Sequence, residues 1–380
     1  LNLAYQNSDA HFDHLEKTRL FVAPNIAFDL TENSELIIEG SYSSNEWQAI
    51  NGGTPIGGAL TANPNGKYQK SLNTSSQDSN TERESSYINA RYTHAISEDV
   101  DFRFSYSYTR NKADFTEYVP FGLDDDYKTL NRLIFASNNA VKKDHDVILD
   151  FTGRFETGQL SHQFIAGLNF SESDVVRPTK LYFADSINIF EPVYAKTSLG
   201  EDNLRRQRGL EQDNKVWSIF IQDRIAATKN LNVLLGVRYS QSEQVQQLTN
   251  LANNNSSLDG LEESDWSGQL GLVYDLSDNL SVYTSLSESF VPQYGTTSGK
   301  KPLEAEESIQ HEIGAKYQYQ GFQANLSIFA IRKDNIAIED PLDDDFEVAQ
   351  GKAASNGAEA SISGYLNSSW HMSASYGYTN

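Results

Sequence analysis

The sequence predicts an all-β chain, a transmembrane antiparallel up-and-down β-barrel. Three observations carry that expectation. Apolar and polar residues alternate with period two in segment after segment. Short and long connections alternate between those segments. The 380 residues are 38% hydrophobic and 11% aromatic, with 20 Tyr and 19 Phe. No window holds the roughly eighteen apolar residues of a transmembrane helix. A spanning strand needs lipid-compatible side chains only at every second position, and interfacial girdles account for the tyrosines.

The strands come first. Phe102, Phe104, Tyr106 and Tyr108 alternate with Arg103, Ser105, Ser107 and Thr109. Val147, Leu149, Phe151 and Phe155 alternate with Asp146, Asp150, Thr152 and Arg154. Leu231, Val233, Leu235, Val237 and Tyr239 share one face, with Leu234 the exception on the other. The same pattern runs through 164–171, 280–287, 309–319 and 370–379. About fourteen such strands follow from Thr18 onward, plus one at Leu1–Tyr5. Each is about ten to thirteen residues long, enough to cross a bilayer when tilted and long for a soluble sandwich.

Next come the connections. Tight turns are expected at 31–33, 97–99, 157–159, 228–230, 277–279, 320–321 and 367–368. Long loops are expected over 47–80, 112–143, 173–213, 243–263, 291–305 and 335–351. Short turns on one rim and long loops on the other are how outer-membrane barrels are built, the long loops facing outward from the cell. The inward residues are polar. Fourteen or more strands enclose a wide lumen, which must hold water or a plug.

Composition then narrows the function. The net charge of -22 disfavours nucleic acid, whose phosphates it repels. Most of the acid, as in Asp124–Asp126 and Asp343–Asp345, is expected to be solvated loop charge. With no Cys there is no disulfide framework, thiolate metal site or cysteine nucleophile. Leu1 does not open a signal peptide, which an outer-membrane protein must carry, and the chain opens and closes within strand pattern, so its true N-terminus is expected upstream. Since open sheet edges are not tolerated in hydrocarbon, further strands are expected on both sides of it.

Several stretches resemble the barrel of TonB-dependent siderophore receptors. Ser281-Val282-Tyr283-Thr284-Ser285-Leu286-Ser287-Glu288-Ser289-Phe290-Val291-Pro292-Gln293 is one. Lys301-Pro302-Leu303-Glu304-Ala305-Glu306, followed by Gln310-His311-Glu312-Ile313-Gly314-Ala315-Lys316-Tyr317, is another; where the family has Pro-Glu-Thr, this chain has Glu304-Ala305-Glu306-Glu307. Phe220–Arg224, Leu234–Tyr239 and Ser355–Ala360 fit too, and Asn63–Tyr68 is similar to the first long loop of ferrichrome-type receptors. The resemblance covers nearly the whole chain and is sharpest from Lys215 to Asn380. It implies a barrel of about 22 strands filled by an N-terminal plug domain. Residues 1–380 are then a partial barrel domain, holding about fourteen of those strands and lacking the plug, the first strands and the last strands. It also implies uptake of a ferric siderophore driven by the TonB-ExbB-ExbD complex acting through the plug. Outer-membrane lipid and lipopolysaccharide would surround a full-length monomer. No cofactor is implied; the ferric siderophore is the cargo.

Candidate sites follow. The loops hold Tyr118, Phe121, Tyr127, Tyr182, Phe183, Phe190, Tyr194 and Tyr294, aromatics that offer large contact area at low entropy cost. Their competing role is girdle or loop packing. Arg205, Arg206 and Arg208 form a basic cluster suited to an anionic chelate, or to nearby loop acids. Arg91, Arg103, Asp150, Arg154, Arg224, Arg238, Glu312 and Glu359 are expected in the lumen, facing the plug or pairing with one another. His11, His14, His94, His145, His162, His311 and His371 are scattered, and no Ser/His/Asp set converges. An enzyme or a metal site is therefore not expected. The leading reading is an importer of a ferric siderophore of hydroxamate type. The alternatives are a related receptor for a saccharide, cobalamin or haem, a passive porin-like channel, and an outer-membrane enzyme.

Overall fold

The computed structural model describes residues 1–48, 53, 55, 57, 58, 60–293, 297–299 and 301–380, the side chains of 343–345 and 366 excepted. Sixteen strands form one antiparallel sheet. They are β1 (Asn2–Asp9), β2 (Glu16–Ala23), β3 (Asn25–Thr31), β4 (Ser34–Trp47), β5 (Asn80–Ala95), β6 (Val100–Leu123), β7 (Thr129–Thr157) and β8 (Leu160–Asn188), then β9 (Leu204–Ala226), β10 (Leu231–Asn250), β11 (Asn255–Ser277), β12 (Leu280–Val291), β13 (Glu306–Tyr319), β14 (Phe322–Asp340), β15 (Asp343–Asn367) and β16 (Trp370–Thr379). A single 3-10 turn at Glu201–Asn203 is the only helical element among the described residues, and no helix is long and apolar enough to cross a membrane.

Neighbours in sequence are neighbours in the sheet, from β1 to β16, except that β2 and β3 both pair with β4. They flank Pro24, which has no N–H to give to a ladder; its carbonyl accepts from the Gly40 N–H at 3.0 Å. They are one crossing bent at the proline. Setting β1 aside and counting β2 and β3 once, sixteen strands give the fourteen crossings expected from Thr18 onward.

Register carries the alternation across the sheet. One row reads Tyr92↔Phe104↔Leu149↔Leu168↔Ile219↔Tyr239↔Trp266. The row beside it reads Thr93↔Arg103↔Asp150↔Gly167↔Phe220↔Arg238↔Ser267. The first face is apolar, the second mostly polar. In a closed barrel the first meets lipid, because a cation there costs about 2–4 kcal/mol at the midplane. Aromatics bound the apolar band at both levels. Towards the long connections, Tyr239 packs 5.4 Å from Trp217 and 5.0 Å from Trp266. Towards the short turns, Phe102 lies 5.2 Å from Phe151 and Phe155 lies 5.8 Å from Phe164.

The short turns are locally encoded. Gln320 and Gly321 both take positive φ, 46° and 86°, as a two-residue hairpin turn requires. Thr228 Oγ1 accepts from the N–H groups of Asn230 and Leu231, and Asn367 Oδ1 from those of Ser369 and Trp370.

Four of the six long connections differ from expectation. Residues 112–143, 173–213, 243–263 and 335–351 are largely paired strand, with turns only at 124–128, 251–254 and 341–342 and a loop at 189–203. The reason is that backbone N–H and C=O groups still need partners beyond the membrane, and a hairpin that already exists supplies them. β7, at 29 residues, spans roughly 96 Å at ~3.3 Å per residue, well beyond a bilayer. Its ladder to β8 skips residues between Ala136 and Val141, where Asn139 takes φ 61°. That bulge re-aims every side chain beyond it.

Residues 60–79 dock on the hairpin extensions. Leu72 packs with Leu130, Ile187 and Ile189, flanked by Tyr68, Phe190 and Tyr194. A second cluster holds Tyr118, Ile134, Ala136 and Tyr182. Arg132 joins them, only 2% exposed. It donates from Nε to the Asp185 carbonyl at 2.8 Å and from Nη1 to the carbonyls of Thr74 (3.2 Å) and Ser75 (2.8 Å). Its guanidinium lies 4.9 Å above the Tyr118 ring.

Candidate functional site on the inner wall

All eight expected lumen charges fall on the polar face by register. Some of them meet. Arg103 donates from Nε and Nη2 to Asp150 Oδ2 at 2.9 and 2.5 Å. Asp150 is 0% exposed because glycine stands across the strand at Gly167, where a Cβ would come within 2.7 Å of the Asp150 Cβ. Arg238 Nη2 donates to Ser218 Oγ at 2.8 Å and Asn169 Oδ1 at 3.0 Å, and Nε to Ser240 Oγ at 3.1 Å. Arg224 reaches Asn232 at 3.5 Å, and Arg154 stands 4.0 Å from Asp99 in solvent. Glu312 accepts from the Tyr283 hydroxyl. The Tyr283 ring lies over Gly314 and under the Lys316 ammonium, 5.1 Å from its centre. Arg91 and Glu359 lie on the same face.

Above this level the inner wall carries grooves, two of which share Arg177. The larger, about 640 Å³, is lined among others by Asn45, Arg83, Asn111, Lys142, Val175 and Arg177. The smaller, about 240 Å³, is lined by Phe135, Arg177, Thr179, Leu181, Arg206, Arg208 and Leu248 among others. Lys142 holds Asp144 at 3.0 Å. Below the β10–β11 tip, both Glu263 carboxylate oxygens accept from the Ala305 N–H, at 3.0 and 3.1 Å. This pins the stretch before β13 to the wall. Burial pushes the Glu263 carboxyl up, partly opposed by that N–H.

The expected loop contacts separate into distinct environments. Tyr118 and Tyr182 are core residues of the hairpin tips, with their rings taken up in packing. The Tyr118 hydroxyl donates to Asp78 at 2.9 Å and accepts from the Thr197 N–H at 3.1 Å, and burial pushes its pKa up. Tyr194 packs edge-on against His14 at 4.9 Å, and its hydroxyl accepts from the Asn73 N–H at 3.4 Å. Tyr118 and Tyr194 therefore anchor Asp78 and Asn73, and Tyr182 packs within the hairpin-tip core, the packing role that competed with ligand contact. Phe121, Tyr127 and Phe183 are exposed at or near the rim, with the Arg205 guanidinium 5.6 Å from the Phe183 ring. Arg206 and Arg208 line the inner groove; Arg205 lies beside the irregularity where Tyr182 pairs with Leu204. Tyr294 lies outside the described residues. Sequence reasoning missed Arg83, Lys142 and Arg177. Period-two counting carried past the membrane from Arg91, Asp150 and Gly167 would have found them.

One acidic group gathers on the opposite face. Glu172, Asp174 and Asp213 bring carboxylate oxygens within 4.8 Å of one another. The Lys215 ammonium sits 2.9 Å from Asp213 and 3.4 Å from Glu172, so a cation of the protein's own already balances two of the three.

The family described as TonB dependent receptor-like, beta-barrel, matches residues 29–380. This chain belongs to that family. Its members are receptors of the bacterial outer membrane rather than enzymes. The receptor barrel is 24% identical over 398 residues to the metal-pseudopaline receptor CntO of Pseudomonas aeruginosa, covering 100% of this chain and 53% of the relative. It is 21% identical over 384 residues to the ferrioxamine receptor of Yersinia enterocolitica, covering 98% and 52%. The ferric-catecholate import receptor Fiu of E. coli K12 superposes with a TM-score of 0.81 at 17% identity, over 99% of this chain and 60% of that one. The receptor barrel thus spans about half the length of the curated relatives it matches.

Proposed function

We propose that this chain is the greater part of the barrel of an energised importer for a ferric siderophore, of hydroxamate type. The observation that carries the reading is the inner wall: a broad polar face, fixed charges at mid-depth, and grooves at the outer rim lined by basic and apolar side chains. Such a wall suits a polar metal chelate held above a plug and released when the plug is pulled. A ferrioxamine receptor among the relatives supports the hydroxamate class. In this reading Arg91, Arg103, Asp150, Arg154, Arg224, Arg238, Glu312 and Glu359 face an N-terminal plug. Further strands close the sheet between β1 and β16, as hydrocarbon demands of an open edge. The TonB-ExbB-ExbD complex supplies the energy, lipopolysaccharide surrounds the rim, and the full-length receptor is a monomer.

A second reading keeps the machinery and changes the metal, since one relative is named for a metal-pseudopaline complex. The test is uptake of radiolabelled iron by iron-starved cells carrying the full-length gene, offered a ferric tris-hydroxamate, in strains with and without TonB. Uptake that needs both the gene and TonB is expected. TonB-independent entry would make the protein a passive channel. TonB-dependent uptake of a different metal's complex, with none of iron, would favour the second reading.

A further inference from the structure

We propose that residues 302–305 are a strap laid on the inner wall at the lumen mouth, and that the Glu263 carboxyl is its proton-sensitive latch, holding the strap more tightly in acid. Its action does not depend on which chelate the receptor takes. Glu263 lies on the inner face, opposite Ser242 and two rows above Ser267. Both its oxygens turn to the Ala305 N–H, at 3.0 and 3.1 Å. Leu303 and Ala305 are 1% and 2% exposed, although they belong to a connection above the membrane. Gln293 ties the strap to the neighbouring hairpin. Its Nε2 donates to the carbonyls of Glu304 and Asn335, and its Oε1 accepts from the Ala337 N–H at 3.1 Å. Asn335, in the left-handed region at φ 59°, donates from Nδ2 to the Ala305 carbonyl at 3.1 Å. The strap and residues 335–337 thus share one set of hydrogen bonds, so they dock and leave as one unit.

The latch has neighbours of its own sign. After burial itself, Glu304 and Glu307 are what push its carboxyl up, and the Ala305 N–H opposes them. Glu306 is taken by the Lys333 ammonium at 2.6 Å. On β11 the next inner-face acid is Asp265, and β10 offers the uncharged Ser240, Ser242 and Gln244 at this level. The inner-face cation of β10, Arg238, is bound to Ser218, Ser240 and Asn169. Among the described residues no cation pairs with Glu263. A neutral carboxyl still accepts the Ala305 N–H through its carbonyl oxygen, and it brings no charge into the half-buried site beside two other acids. Docking and protonation therefore favour each other. With the docked value raised above the ordinary 4.5, the proton's contribution is complete below 4.5 and is lost as pH rises through the docked value.

The experiment is amide hydrogen exchange on the full-length receptor in detergent between about pH 4.5 and about pH 8, each amide referenced to its intrinsic rate. The reporting amides are Ala305, held by Glu263, and Ala337, held by Gln293. Their protection is expected to fall together as pH rises, by up to about tenfold for each unit separating the docked and free carboxyl. Glu263→Gln keeps the neutral shape and should leave both amides protected at every pH, with no slope. Glu304→Gln removes one like charge and should make the fall smaller. The Leu231 amide, held by Thr228 Oγ1 on the other rim, should not change. Protection that ignores pH in the wild type, a slope that persists in Glu263→Gln, or loss of protection in that variant at every pH would each overturn the latch. A response at Ala305 without one at Ala337 would overturn the shared unit. Uptake is not the readout, so each of these failures leaves the importer standing.

Discussion

Arg132 is the residue on which the extracellular architecture can be tested most sharply. Its guanidinium is buried between the β6–β8 extensions and residues 74–76, donating to three main-chain carbonyls and to Ser76 Oγ at 3.3 Å. Arg132→Met keeps much of the aliphatic stem and removes the donors. Each carbonyl left buried without a partner costs about 1–3 kcal/mol, and loss of the stacking on Tyr118 about 0.5–2 kcal/mol. Summed, these exceed what a docked loop can hold, so residues 60–79 should open locally and rehydrate instead of staying strained. The net loss is then about 3 kcal/mol of local stability, roughly a hundredfold in opening equilibrium.

Hydrogen exchange on the full-length receptor reads this directly, because three reporting amides have defined partners. Asn73 donates to the Tyr194 hydroxyl, Ser75 to Asn73 Oδ1, and Thr197 to the Tyr118 hydroxyl. Their exchange should accelerate roughly a hundredfold, while amides of β10–β12 keep their protection. Protection at those three amides within about threefold of wild type would refute the claim that Arg132 clasps the loop.

Gly314→Ala would set a Cβ 2.6 Å from both the Tyr283 ring and the Leu326 carbonyl. It should lower barrel stability by about 1–3 kcal/mol, read as an earlier loss of the compact band in heated gel electrophoresis. Asp150→Ala leaves Arg103 without its carboxylate; with Arg103 side chain 41% exposed to solvent, screening limits the cost to about 1–2 kcal/mol, measured by denaturant midpoint. At the β6–β7 tip, Asp126 accepts from the Thr129 and Lys128 N–H groups, which hold its carboxyl below its ordinary value. A depressed carboxylate contributes order that is present above the unfolded pKa and lost as pH falls through the lower folded one. Amide exchange at Lys128 and Thr129 should therefore rise below about pH 4, and Asp126→Ala should abolish that pH dependence.

What the sequence determined by itself is the period of two. Alternation follows from the pleat, a property of each residue's own backbone. Hence the fourteen crossings, the polar lumen, the short turns on one rim and the inner placement of Arg103, Asp150 and Glu312 were all legible without coordinates. The extent of the strands was not. Residues 112–143 read as loop because their outer positions no longer face lipid, yet pairing continues there for the sake of the backbone. Nor was the fate of particular loop side chains legible. Counting from Asp150 puts Arg132 on the inner face; the bulge near Asn139 turns it to the face of Tyr118 and Ile134. Tyr118 and Phe121 stand three residues apart in one predicted loop, but one is a packed core residue and the other is exposed. Only tertiary structure separated them, because burial at the tips depends on residues 60–79 folding back across the sheet, a contact between segments far apart in the chain that no local period records.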